Sequence, residues 1–206
     1  MDHLDVAALE GRWVRLEPLR LEHIDALLTA ANEDRAHYGY ATVPDNREEM
    51  VGHVGELLAQ HAAGECVPFV QIARRDERVV GSTRYLTLLA RRGADRPYSV
   101  EIGGTWLAAT AQRTPVNTEA KLVLLEHAFE VWNVGRAQLK SDVRNARSRA
   151  AIERLGAHFE GVLRQYQPSA APGEEDRLRD TAMYSITRDE WPEVHAALRA
   201  RLAGAS

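Results

Sequence analysis

The chain has 206 residues, of which 45% are hydrophobic and 27% charged. That length fits one large domain or two small ones with a full apolar core, and the balance excludes disordered and fibrous classes. The formal charge of −4 leaves no basic excess for general nucleic-acid binding, and the one cysteine, Cys66, excludes an internal disulfide framework and a cysteine-based zinc cluster.

In chain order, Trp13–Pro18 alternates and predicts a first short strand. Leu21, Ile24, Leu27, Leu28 and Ala31 recur at helical spacing. A loop, Asn32–Pro44, carries His37, Tyr38 and Tyr40. Asp45 and Glu48 have capping-box spacing before a helix that carries Met50, Val54, Leu57, Leu58 and His61 and stops at Gly64. Three strands are predicted next, over Val67–Ala73, Val79–Leu88 and Tyr98–Leu107. Residues 108–116 read as irregular and lead into a helix over Asn117–Trp132. Arg136–Ser141 alternates as a strand, and a short helix spans Asn145–Leu155 and ends at Gly156. Strands over Ala157–Gln165 and Leu178–Thr187 flank a loop at 168–176, and a last helix covers Asp189–Leu202. The order contains one central βαβ step. It predicts a single α+β domain over 1–206 with a central mixed, mostly antiparallel sheet of about seven strands flanked by helices.

No segment approaches about 18 uninterrupted apolar residues, so no membrane span is expected. The start, Met1-Asp-His-Leu-Asp-Val, has neither a basic region nor an apolar signal core. The expectation is a reduced, cytoplasmic protein.

The segment Glu101 to Lys121 runs from a strand through a loop into an apolar helix. Free N–H groups at such a helix start, aided by the helix dipole, suit the pyrophosphate of a nucleotide or coenzyme. The spacing matches neither the dinucleotide fingerprint nor a P-loop. Glu119 suits the dipole but repels phosphate, so it is expected to point away.

Several motifs together carry a resemblance to a family. They are Gly81-Ser-Thr-Arg-Tyr, Glu101-Ile-Gly with Trp106-Leu107, Asn117-Thr-Glu-Ala-Lys, Asn145-Ala-Arg-Ser148, Leu155-Gly-Ala, Phe159-Glu-Gly and Arg179-Asp180 with Tyr184. Over about residues 10–195 the chain resembles the GNAT superfamily of acetyl-CoA-dependent N-acetyltransferases, most closely its RimJ/RimL branch. The resemblance implies acetyl-CoA as co-substrate, no metal, and direct transfer of acetyl to a primary amine, either a protein N-terminus or a small molecule. It implies coenzyme contacts from Gln112, Arg113, Thr114, Val116, Asn117 and Thr118 at the pyrophosphate, and from Asn145 and Ser148 along the pantetheine arm. A backbone N–H among Trp106, Leu107 and Ala108 is implied as the oxyanion donor. Arg113 and Pro115 stand where the family usually has glycines, and Pro115 removes one donor. Arg113 can compensate with a charge-assisted contact.

The family's frequent tyrosine acid falls on Ile152 here, so Ser148 is expected to reprotonate the thiolate. Glu101 is the candidate base, while the RimL-type base aligns with Gln167 and does not carry over. His37, Tyr38 and Tyr40 are expected to wall the acceptor site. The alternatives are a catalytically degenerate acyl-CoA-binding or scaffold domain, and an enzyme that uses a longer acyl-CoA. A homodimer is the default oligomer. His53 and His61 lack zinc-ligand spacing. His127 and Cys66 are expected to be packed, and Asp180 to be structural. Arg144, Arg147, Arg149 and Arg154 are read either as a solvated helix face or as 3′-phosphate contacts.

Overall fold

The computed structural model describes residues 4–174 and 176–205. Met1–His3, Glu175 and Ser206, which the single-domain expectation includes, lie outside the described residues. The strands are β1 (Leu9–Glu10), β2 (Val14–Pro18), β3 (Val67–Ala73), β4 (Arg78–Ala90), β5 (Pro97–Leu107), β6 (Arg136–Asp142), β7 (His158–Pro168) and β8 (Leu178–Thr187). They form one sheet in the order β1-β2-β3-β4-β5-β6-β8-β7. All pairs are antiparallel except β5 with β6, which is the predicted βαβ step. The seven expected strands are present. β1 is an eighth, and its two residues are too few to show alternation.

The helices are α1 (Ile24–Ala31), α2 (Arg47–Ala62), α3 (Pro115–Glu126), α4 (Ala146–Glu153) and α5 (Trp191–Ala203). α1 packs on β4 and on α2, while α3 packs on β1, β2, β5 and α5. Successive side chains of a strand point to opposite faces. The Tyr85 hydroxyl donates to Leu124 O at 2.5 Å, so Thr83 and Tyr85 face α3. Arg84 and Leu86 therefore face α1 and α2. The α3 face carries most of the large core, including Phe69, Tyr85, Leu124 and Leu125, all fully buried.

Three helix boundaries differ from the sequence reading. The N-cap of α2 is Asn46, whose side chain accepts from Glu49 N at 3.0 Å. Asp45 is one residue too early and accepts from Asn46 Nδ2 instead. α3 opens at Pro115 and not at Asn117, because proline's fixed φ suits the first helical position. The same helix ends at Glu126, and His127–Val131 form a π turn. That wider turn lets the rings of His127 and Trp132 both meet Tyr85, with Trp132 centred 4.6 Å from it. Among the described residues no helix is long and apolar enough to cross a membrane.

Candidate functional site

The parallel pairing of β5 and β6 spans only Ser99–Glu101 against Arg136–Gln138. Beyond Glu101 and Gln138 the strands no longer pair, although β5 continues to Leu107 and β6 to Asp142. This opens a wedge in the middle of the sheet, closed at its base by the last paired residues. A single 3-10 turn, Ala109–Ala111, leads from the end of β5 to α3, so the start of that helix stands at the mouth of the wedge.

Apart from the N–H that Pro115 lacks, the loop into α3 keeps its backbone donors. Thr114 is the N-cap, and its hydroxyl donates to Ala111 O at 2.7 Å and accepts a long bond from Val116 N at 3.4 Å. Pro115 sits at the first helical position, where an N–H has no intrahelical partner anyway. Its missing donor therefore costs the helix nothing. Among the described residues the backbone N–H groups of Arg113, Thr114 and Asn117 have no acceptor. Arg113 holds φ +61° without being glycine. Thr118 follows in the same turn. Glu119 points away as expected, because its carboxylate is buried and accepts from the backbone N–H groups of Arg12, Trp13 and Val14.

Of the three positions expected to offer an oxyanion donor, Ala108 is already committed: its N–H donates to Val80 O at 2.7 Å. Backbone N–H groups alternate in direction along an antiparallel strand, so the Leu107 N–H points to the opposite edge, toward the wedge. Leu107 O accepts from Gln112 Nε2 at 2.9 Å and from the Tyr38 hydroxyl at 3.2 Å. Gln112 is thus a strut of the loop, with its amide oxygen accepting from Arg147. Tyr38 is buried edge-on against Trp106, 6.1 Å between ring centres, and fastens its loop to β5. His37 is more exposed and lies 3.4 Å from Asp34. Tyr40 lies under the Arg144 guanidinium.

Asn145 caps α4 by accepting from Ser148 N at 3.0 Å. The Ser148 hydroxyl makes no hydrogen bond among the described residues, so it is not folded back onto helix carbonyls. Arg147, beside it, donates to Gln112 Oε1 at 3.2 Å and to His37 O at 3.0 Å. That one side chain ties together α4, the α3 loop and the acceptor loop. Of the other arginines, Arg144 pairs with Asp142 and Glu174 while staying exposed, and Arg149 donates to the Tyr184 hydroxyl. Asp180 accepts from Gln165 N, Cys66 is buried, and His127 is packed among rings, as expected.

Glu101 is 1% exposed. Its Oε2 meets Lys140 Nζ at 3.1 Å, the Thr87 hydroxyl at 3.2 Å and Gln138 Nε2 at 3.5 Å. Its Oε1 is buried without a partner. The carboxylate is therefore paired through Oε2, while Oε1 has no hydrogen-bond partner among the described residues. The Arg144 guanidinium holds the Asp142 carboxyl below its ordinary range at the end of β6.

Sequence reading missed the setting of Lys121. It lies buried in α3, and among the described residues its amine hydrogen-bonds the hydroxyls of Thr105 at 2.5 Å and Thr83 at 3.2 Å. Burial pushes its pKa down to about 7. Its place on the apolar stripe of the helix was the available signal. The contacts of Arg147 were also missed, because nothing in its local spacing distinguishes it from a surface arginine.

A cavity of about 550 Å³ separates the Arg35–Val43 loop from Ser169–Pro172, and one of about 540 Å³ runs along Arg144, Glu174 and Arg179. Among the described residues no group of three or more His, Cys, Asp or Glu side chains could hold a metal ion.

A family model described as an acetyltransferase (GNAT) domain matches residues 14–158. A search of curated proteins finds no match. Solved structures resemble the chain over nearly its full length. A GCN5-related N-acetyltransferase from Brucella melitensis is 30% identical with a TM-score of 0.81, over 96% of this chain and 86% of that one. A protein from T. thermophilus, assigned as an acetyltransferase, is 36% identical with a TM-score of 0.79, over 96% and 97%. RimJ of Mycobacterium smegmatis, in complex with CoA-disulfide, shares the fold at 22% identity with a TM-score of 0.74, over 95% and 91%.

Proposed function

Since the chain belongs to the GNAT acetyltransferase family, of the RimJ/RimL type, we propose that it moves an acetyl group from acetyl-CoA directly onto a primary amine within a ternary complex. The observation that carries this reading is the wedge between β5 and β6, which opens onto a helix start with unengaged N–H groups. Backbone N–H groups of Arg113, Thr114 and Asn117 would hold the pyrophosphate, with Val116 and Thr118 beside them and Asn145 on the pantetheine arm. Pro115 removes one donor, and the remaining unengaged N–H groups of Arg113, Thr114 and Asn117 favour coenzyme binding over a degenerate scaffold.

Acetyl-CoA supplies the thioester carbonyl, and a C–N bond forms as the C–S bond breaks. Glu101 Oε1 takes the proton of the amine, directly or through water. An α-amine has an ordinary pKa near 8, so a modest base suffices. The Leu107 N–H stabilises the developing oxyanion. The Ser148 hydroxyl gives a proton to the departing thiolate. Dependence on acetyl-CoA would place the protein in the cytoplasm. β7 is the outer strand and exposes Phe159, Val162, Leu163 and Tyr166. A homodimer would cover that edge.

The test is transfer itself. Incubation with acetyl-CoA and a panel of primary amines is expected to release CoA thiol and give an N-acetyl product by mass spectrometry. Ser148→Ala is expected to lower kcat about 100-fold with the KM for acetyl-CoA unchanged. An unchanged kcat would remove Ser148 from the proton transfer.

A further inference from the structure

We propose that the acceptor carries a carboxylate close to its amine, as an α-amino acid does, and that Arg84 binds that carboxylate while Glu101 faces the amine. This rests on the transferase reading above. Arg84 stands in β4 on the α2 face, and its Nε is buried with no partner. Among the described residues its side chain makes no hydrogen bond and no ion pair. The carboxylates of Glu101 and Glu56 act on it only at a distance. The neighbouring Cys66 is no counter-ion, because burial pushes its thiol up and keeps it neutral. Burial and the charge of Arg84 lower the pKa of nearby His53.

The backbone of β5 is shaped around this pair of charges. Gly104 has φ +56°, and a Cβ there would lie 2.7 Å from Arg84 Cζ. A Cβ at Gly103 would lie 3.1 Å from Glu101 Oε1. A guanidinium and an unpartnered carboxylate oxygen thus rest on consecutive glycines, whose Cα atoms are about 3.8 Å apart, yet do not pair. A half-buried cation whose Nε is buried without a partner carries a desolvation cost, and an anion supplied by a ligand offsets it. The planar fork of arginine fits a carboxylate through two parallel bonds. A second guanidinium, Arg179, also has a buried Nε without a partner and feels the charges of Asp142 and Glu101. With Lys140, which pairs with Oε2, three cations act on the Glu101 carboxylate, and such a surplus of positive charge selects an acceptor with an anionic group beside its amine.

The experiment measures acetyl transfer to the L-amino acids and to their carboxamides, together with their binding to the CoA-loaded protein by ligand-detected NMR. Peptides beginning with Asp or Glu form a second arm, against the same peptides beginning with Asn or Gln. The expected result is a preference of roughly 100-fold in kcat/KM for the carboxylate member of at least one pair. The arm that shows it tells a free amino acid from an acidic N-terminal residue. Arg84→Gln is expected to bring that preference close to unity by lowering the rate with the acid far more than with the amide, with CoA still bound. Arg84→Lys, which keeps the charge and guards against a folding artefact, is expected to recover part of it. Equal handling of acids and amides in rate and in binding overturns the proposal, as does an Arg84→Gln variant that weakens both alike. If CoA binds and carboxylates bind through Arg84 but no amine is acetylated, the transferase reading fails and the anion site stands.

Discussion

Replacing Glu119 by alanine is expected to lower folding stability by about 3–5 kcal/mol. The carboxylate is buried at the first turns of α3 and accepts three backbone N–H groups, at 2.9 Å from Arg12, 2.5 Å from Trp13 and 2.9 Å from Val14. Those donors lie in the tight turn between β1 and β2, where Gly11 N donates to Val14 O. Gly11 is needed because a Cβ there would collide with the Glu119 carboxylate. Truncation leaves the three donors without an acceptor and opens a cavity between α3 and the sheet. It also frees the end of the helix that carries the candidate phosphate loop. Urea unfolding at pH 7 measures the loss. Glu119→Gln keeps one carbonyl acceptor and is expected to lose about half as much. A change below about 1 kcal/mol in Glu119→Ala would show that the turn is satisfied by water instead.

The second large effect is a dependence on pH that comes from Lys121. In the fold its pKa falls from an ordinary 10.5 to about 7, because burial penalises the ammonium and no carboxylate pairs with it among the described residues. Between pH 7 and 10.5 the unfolded chain holds a proton that the folded chain has released. Folding is therefore disfavoured in full below pH 7, and the penalty is relieved as pH rises toward 10.5. Its full size is about 4–5 kcal/mol. Lys121→Met cannot carry the proton. The difference in unfolding free energy, wild type minus variant, is expected to rise by about 1.4 kcal/mol per pH unit between pH 7 and 10. A flat difference would mean that the amine stays charged in the fold, with Thr83 and Thr105 accepting its hydrogens.

The central layout was legible because it rests on long periodic segments. The strands from Val67 to Leu107, the α3 stripe and the alternating Arg136–Ser141 announce a sheet with one parallel step, and the wedge follows from that step. Asn145 and Ser148 were legible as a cap and its third residue. Other features depend on contacts far apart in sequence. The start of α3 at Thr114-Pro115 was masked by reading proline as a lost donor and not as a first helical residue. The engagement of Ala108 N–H by Val80 depends on strand register, which local spacing does not contain. Arg147 looked like a solvated helix residue, and only the fold brings Gln112 and His37 to it. Lys121 and Arg84 are polar residues whose surroundings are set by strands remote in sequence.

The most direct measurement is a calorimetric titration of the intact protein with CoA, with desulfo-CoA as the control for contacts made by the sulfur. The loop from Gln112 to Thr118 is expected to bind both in about the micromolar range, since the pyrophosphate contacts do not involve the thiol. Absence of binding up to millimolar CoA would contradict the coenzyme site at the mouth of the wedge, and with it the transferase reading.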